Sequence, residues 1–218
     1  MKLPALALVF SFSLAAKASA GLTWEQKSLS FHPAISATEV IAHFHFQNTG
    51  TNAVAIKAVT TSCTCVSAEP SKQSYAPGEK GEIVAKFTVD ERAGVDAKEI
   101  YVETDEPESW TNLKMEVTIP KLAEMEPDPL YWNPGEELRP KRIRIIPAKG
   151  VVMKLIRLTP SDSGNFSAQL TASSRPGEFE VVITPRAGSP AFSGVLRIET
   201  DFPKEHPRAL IAHVQVAR

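Results

Sequence analysis

Asn112-Leu113-Lys114-Met115-Glu116-Val117-Thr118-Ile119 alternates polar and apolar residues without a break. Successive side chains of an extended chain point to opposite faces, so this period of two predicts a strand with one face in a core and one in water. Leu113, Met115, Val117 and Ile119 form the apolar face. The pattern recurs in Ile83, Ala85, Phe87 and Val89, where Val84 is the one apolar residue on the polar side. It recurs again in Val40, Ala42, Phe44 and Phe46, and in Leu210, Ala212, Val214 and Val216. Asn48-Thr49-Gly50, Pro77-Gly78-Glu79 and Pro176-Gly177-Glu178 separate such runs with turn residues. After the N-terminal stretch no segment carries a helical period, and 17 prolines in 218 residues suit short strands and frequent turns. The expected class is all-β, built as immunoglobulin-like sandwiches.

The two halves repeat one another. Glu103-Thr104-Asp105-Glu106-Pro107 returns as Glu199-Thr200-Asp201-Phe202-Pro203, Pro77-Gly78-Glu79 as Pro176-Gly177-Glu178, and Leu22-Thr23-Trp24 as Leu130-Tyr131-Trp132. The offset stays near a hundred residues, the size of one immunoglobulin-like sandwich. Two tandem domains are expected, residues 21–120 and 129–218, joined by a short stiff Pro- and Glu-rich linker over 121–128.

Residues 1–20 read as a cleavable signal peptide. Lys2 is a basic start, an apolar run follows from Leu3 to Ala16, and Ala18-Ser19-Ala20 is a small-x-small cleavage site. Cleavage is expected after Ala20, and Gly21 then leads the chain without a lipid-bearing cysteine. No later run is long and apolar enough for a transmembrane segment. The expected location is periplasmic or secreted, in an oxidising compartment. The formal net charge of −1 argues against a general nucleic-acid binder, which shows a basic excess.

Only two cysteines are present, Cys63 and Cys65. Aligning the halves at Pro-Gly-Glu lays Cys63 over Asp162 and Cys65 over Gly164, so the second copy keeps the scaffold and lacks the thiols. Phe44-x-Phe46-x-Asn48-Thr49-Gly50, Ile56-Lys57-x-Val59, Ser62-Cys63-Thr64-Cys65, Pro77-Gly78-Glu79-x-Gly81 and Val102-x-Thr104-x-x-Pro107 together resemble the bacterial Domain of Unknown Function 1573 family. The resemblance runs from about Phe31 to Ile119 and implies a secreted immunoglobulin-like domain, related in fold to chaperone-type and sperm-protein-type sandwiches. It implies no activity, because the family has none established. The sequence departs from the family pattern at Thr64, where glycine is usual, and at His32-Pro33 after Phe31.

Residues i and i+2 of a strand lie about 6.6 Å apart at Cα, near the upper edge of what a disulfide spans, about 4.4–6.8 Å. Cys63 and Cys65 therefore admit three readings: a local structural disulfide that needs the backbone to turn, a soft-metal site for copper or zinc, or a strained bond for thiol-disulfide exchange. His43 and His45 are further metal candidates. With Phe44 and Phe46 in the core, both imidazoles face outward from one strand face.

The repeated Glu-Thr-Asp segments read as turn chemistry at strand ends. Asn165-Phe166-Ser167 fits a glycosylation acceptor, discounted for a bacterial chain, and Lys141-Arg142-x-Arg144 reads as a solvated strand face. No phosphate loop, nucleophile elbow or zinc-protease helix motif occurs in the sequence. The leading expectation is a non-enzymatic binding or envelope-assembly module for an unknown protein or envelope ligand, with no catalytic residues and no required cofactor. The alternatives are a copper- or zinc-binding protein and a thiol-disulfide exchange protein, both centred on Cys63 and Cys65.

Overall fold

The structure is a computed structural model that describes residues 21–106 and 110–217. The expected signal peptide and Pro107 lie outside the described residues. The first half runs β1 (Leu22–Trp24), β2 (Ser28–Phe31), β3 (Glu39–Asn48), β4 (Val54–Thr61), β5 (Val66–Pro70), β6 (Ser74–Tyr75), β7 (Lys80–Thr88), β8 (Gly94–Thr104) and β9 (Trp110–Ile119). The second runs β10 (Ala123–Glu126), β11 (Leu130–Trp132), β12 (Lys141–Pro147), β13 (Leu155–Pro160), β14 (Phe166–Thr171), β15 (Phe179–Pro185), β16 (Phe192–Thr200) and β17 (Ala209–Val216). None of the described residues is helical.

Each half is a sandwich of two sheets. In the first, β1-β3-β7-β5 covers β2-β9-β8-β4-β6; in the second, β10-β12-β15-β14 covers β11-β17-β16-β13. The alternating runs supply the inner faces. Phe44 and Phe46 on β3, Ile83 and Phe87 on β7, and Leu113, Met115 and Val117 on β9 are buried in one core. Ile143, Val181, Ile198, Ala212 and Val214 are buried in another. Val84 on β7 is half-buried on the opposite side, so the break in alternation does not shift the register.

The duplication holds for every strand but β6, which has no counterpart in the second half. β9 takes β2 as a parallel neighbour, and β17 takes β11 in the same way. β1 pairs antiparallel with β3, as β10 does with β12. This corrects two expectations. Leu22-Thr23-Trp24 and Leu130-Tyr131-Trp132 are not counterparts, because the first forms β1 and the second matches β2 in its pairing. The expected linker over 121–128 is a linker only in part. It contains β10, and Leu122 and Ala123 are buried in the second core. The prolines at 127 and 129 follow β10 and do not interrupt it, so a proline-rich composition concealed a four-residue strand.

The repeated motifs have repeated jobs. The Asp105 carboxylate accepts the Ala55 amide at 2.8 Å and the Asp201 carboxylate the Lys154 amide at 2.6 Å, while each Asp amide donates back to the same partner's carbonyl oxygen. The strand end of β8 or β16 is thereby tied to the start of the adjacent β4 or β13. In Pro-Gly-Glu the glycines sit at φ 78° and 80° for Gly78 and Gly177, as a turn with proline first and glycine second requires. A third copy, Pro134-Gly135-Glu136, has the same form, with Gly135 at φ 77°.

Candidate functional site

The cysteines lie where the chain crosses from one sheet to the other. β4 belongs to the five-stranded sheet and β5 to the facing one, and Ser62-Cys63-Thr64-Cys65 makes the passage. Cys63 and Cys65 are joined by a disulfide with Cα atoms 5.3 Å apart. The separation is below that of an extended strand because these residues turn. Backbone bonds hold the turn from both sides: Ser62 N donates to Glu99 O at 3.0 Å and Thr88 N to Cys65 O at 3.0 Å. The Thr61 hydroxyl lies 2.9 Å from Cys63 O and 3.1 Å from Val66 O. Both cysteines are half-buried and pack against the first core.

The crossover from β13 to β14 shows what stands in their place. Ser161 N donates to Val195 O at 2.8 Å, and Val195 N to the Ser161 hydroxyl at 3.0 Å. Ser62 and Glu99 repeat that exchange, with Glu99 N donating to the Ser62 hydroxyl at 3.1 Å. In this register Cys63 overlies Asp162 and Cys65 overlies Gly164. The Asp162 carboxylate accepts the Gly164 amide at 2.8 Å and the Asn165 side-chain amide at 2.6 Å. One crossover is clasped from residue i to i+2 by a covalent bond, the other by a side-chain-to-backbone hydrogen bond. Both solutions shorten the same turn.

A swap follows as a prediction. Closing so short a loop removes about 1.6 kcal/mol of denatured-state entropy. Replacing both cysteines with alanine should therefore lower the unfolding temperature of the first sandwich by about 6–12 °C. Cys63→Asp combined with Cys65→Gly should recover a substantial part of that loss in the absence of any thiol. Calorimetry on the three proteins checks this, and an alanine pair as stable as the parent refutes the clasp.

His43 and His45 project from the outer face of β3, half exposed, with rings 6.1 Å apart and stacked. Both reach one oxygen of Glu82, at 3.0 Å from His43 Nδ1 and 3.5 Å from His45 Nδ1. They are not brought to the cysteines. His43 pairs with Val84 and His45 with Glu82, whereas Cys65 bonds to Thr88. The offset along β7 is about 13 Å for His43 and about 20 Å for His45. The two sulfurs are joined to each other, and among the described residues no group of three or more His, Cys, Asp or Glu side chains is placed to hold a metal ion. Of the Lys141-Arg142-x-Arg144 run, Arg142 and Arg144 share the outer face of β12 and meet Glu180 and Glu126, while Lys141, on the other face, meets Glu136.

Two features carry no sequence signal. The first is a cleft of about 610 Å³ lined from both sandwiches, by Glu91 and Arg92 before β8, Leu122 and Met125 around β10, and Arg208 and Leu210 at β17. Arg208 is 3% exposed. Its Nη2 donates to Pro120 O at 3.1 Å, while Nε and Nη1 have no partner among the described residues. Burial pushes its guanidinium below the ordinary arginine range, against the pull of the Asp90 and Glu91 charges. The second feature is the edge of β13 and the segment leading into it, where Ile156 on the strand is 59% and Val152 before it 90% exposed. No helix among the described residues is long and apolar enough to cross a membrane.

No curated protein sequence matches the chain. Among solved structures, a protein of unknown function from Porphyromonas gingivalis W83 aligns at 15% identity over 90% of this chain and 99% of its own, with a TM-score of 0.39. The E. coli chaperone DraB aligns at 11% identity over 91% of this chain and 98% of its own, with a TM-score of 0.38. The Vibrio cholerae VesB protease aligns at 14% identity over 44% of this chain, with a TM-score of 0.36, and the chain spans only 31% of that protease. These correspondences are loose. The sequence match is closer to home: residues 22–119, the sandwich that carries Cys63 and Cys65, match the family described as "Protein of unknown function (DUF1573)".

Proposed function

We propose that the protein is a non-enzymatic periplasmic or secreted module that binds a protein partner by strand addition along β13. One observation carries this reading. β13 is the outermost strand of its sheet, and among the described residues nothing pairs with its free edge. Its counterpart β4 is shielded there by β6, through Val54↔Tyr75 and Ala55↔Ser74. The second sandwich lacks that cover and shows Val152 and Ile156 to solvent instead. An uncovered edge with apolar side chains is the receptor for an extended segment, with main-chain hydrogen bonds giving affinity and side-chain contacts giving choice. Arg157 beside Ile156 and Lys154 two residues before it are exposed, so the fitting segment carries acidic residues near an apolar one. The clasped crossovers, which lead out of β4 and β13, serve this reading as scaffold.

Val152→Lys with Ile156→Lys tests it. Both side chains are already in water, so the unfolding temperature should stay within about 2 °C of the parent. Affinity capture with crosslinking from the cell envelope should enrich a protein on the parent and lose it on the double variant. Capture of no protein, or of the same protein by both baits, removes strand addition at β13.

A further inference from the structure

We propose that the α-ammonium created by cleavage between Ala20 and Gly21 is itself a ligand of the first sandwich, seated against the Glu106 carboxylate. The inference rests on the reading that the chain is exported, and it is independent of strand addition at β13.

The contact that carries it is between Gly21 and Glu106. A Cβ added to Gly21 would fall 2.7 Å from Glu106 Oε1 and 2.9 Å from Oε2, so both carboxylate oxygens close on this one Cα. The nitrogen bonded to the same Cα therefore lies within about 5 Å of them. Gly21 is held in that place. Its carbonyl oxygen accepts the Thr49 amide at 3.1 Å, and Leu22 opens β1 opposite Asn48 on β3. Its φ of 125° is one that other residues rarely adopt. Glycine is thus required twice, for the backbone angle and for the room that Glu106 occupies. The hollow around the pair, about 170 Å³, is lined by the segment from Gly50 to Val54 and by Asp105 and Glu106, and none of the lining residues is cationic. Asp105 already accepts the Ala55 amide, which leaves Glu106 to receive a new cation.

The second sandwich supplies the comparison. Leu122 O accepts the Ala148 amide at 2.9 Å just before β10, as Gly21 O accepts the Thr49 amide just before β1. Leu122 therefore stands where Gly21 does, and Phe202, after Asp201, stands where Glu106 does. Leu122 is buried in the second core and Phe202 packs against it. Where the chain runs straight through, two apolar side chains fill the place. Where a leader is expected to be cut, the same place holds a glycine and a carboxylate. Facing an ammonium, a carboxylate gains charge-assisted hydrogen bonds about twice as strong as neutral ones. Hydrolysis by a leader peptidase creates that ammonium. Water adds across the Ala20–Gly21 bond, the new carboxylate leaves on Ala20, and the amine left on Gly21 takes up a proton at neutral pH. The charged terminus then anchors β1, the outermost strand of its sheet.

Calorimetry on four chains tests this: one beginning at Gly21, one retaining Ala18-Ser19-Ala20, and each of these with Glu106→Gln. At pH 7 the first-sandwich transition of the chain beginning at Gly21 should lie about 4–8 °C above that of the extended chain. Glu106→Gln should remove that advantage while moving the extended chain by no more than about 2 °C. The charged groups that face the terminus are Asp105 and Glu106, and the segment from Gly50 to Val54 contributes none. Pairing raises the amine above the free-terminus value of about 7.7–8.0. The advantage is therefore complete below that range, is lost as pH rises through the raised value, and should be gone by about pH 10.5. An extended chain as stable as the one beginning at Gly21, or a Glu106→Gln cost that is the same in both, overturns the proposal. An advantage unchanged at about pH 10.5 overturns it too, because its cause is then steric. The mass of the protein recovered from the envelope should correspond to a start at Gly21. A chain still carrying residues 1–20 overturns export together with this site, whereas a start at Gly21 without coupling to Glu106 overturns the site alone.

Discussion

Trp132→Ala should split thermal unfolding into two transitions, with the second sandwich melting first. Trp132 is fully buried and belongs to the second core. Its Nε1 donates to Arg139 O at 2.9 Å, and Lys141 Nζ sits 5.0 Å from the ring centroid. Truncation opens a cavity of indole size, strips Arg139 O of its donor and removes the ring that Lys141 covers. Large-to-small changes of this kind cost about 3–5 kcal/mol. For a unit of this size that lowers the unfolding temperature by about 15–30 °C. The first sandwich should hold its own transition, because its buried core draws on none of the strands from β10 onward. The links across the junction are few: Glu91 with Arg197, Arg208 with Pro120, and Ile35 packed against the second core. Calorimetry reads the result directly. A single transition displaced as a whole would show that the halves unfold together and that the division near residue 120 has no energetic meaning. Partner capture through β13 should vanish at the lower transition.

The strands that carry the two cores were legible before any coordinates. β3, β7, β9 and β17 each have one wet face, and a half-wetted strand writes its orientation into the sequence as alternation. Asp105 and Asp201 were legible as strand-end chemistry because the fold uses the same carboxylate-to-amide tie twice. The alignment of Cys63 with Asp162 was legible for the same reason, although not that both residues clasp the crossover. β10 was hidden because four residues amid prolines and glutamates offer too little alternation to stand out. Trp24 and Trp132 misled because similar tripeptides occupy strands with different partners. Arg208 and the edge of β13 lie beyond local sequence altogether. Whether an arginine is buried depends on Pro120, 88 residues away along the chain, and whether a strand is an edge depends on the absence of a partner equivalent to β6.

Gly81→Ala should be the most damaging single-methyl change in the first sandwich. Gly81 lies on β7 opposite Phe46, and its backbone is not in the left-handed region, so the glycine is there for space and not for conformation. A Cβ would fall 2.2 Å from Tyr75 Cε1 and 2.7 Å from Phe46 Cζ. Neither ring can retreat. Tyr75 and Phe46 are 0% and 2% exposed and meet edge to face at 4.7 Å, while Trp24 closes on Phe46 at 4.8 Å. The Tyr75 hydroxyl accepts the Lys72 amide at 2.8 Å and lies 3.1 Å from the Ser71 hydroxyl, so moving the ring breaks the turn before β6. Overpacking of this kind costs about 1–3 kcal/mol, and pinned aromatics on both sides place Gly81 at the top of that range or above it. The unfolding temperature of the first sandwich should fall by about 12–20 °C while the second transition stays in place. Gly78→Ala is the internal comparison. Gly78 has positive φ and open space around it, so its substitution costs only the left-handed strain of about 1–2 kcal/mol. Adding Tyr75→Leu to Gly81→Ala should cost less than the sum of the two changes, since the second relieves the clash created by the first. If Gly81→Ala proves no worse than Gly78→Ala, the aromatic pair yields more easily than its hydrogen bonds imply, and the turn from Ser71 to Tyr75 is the part that gives way.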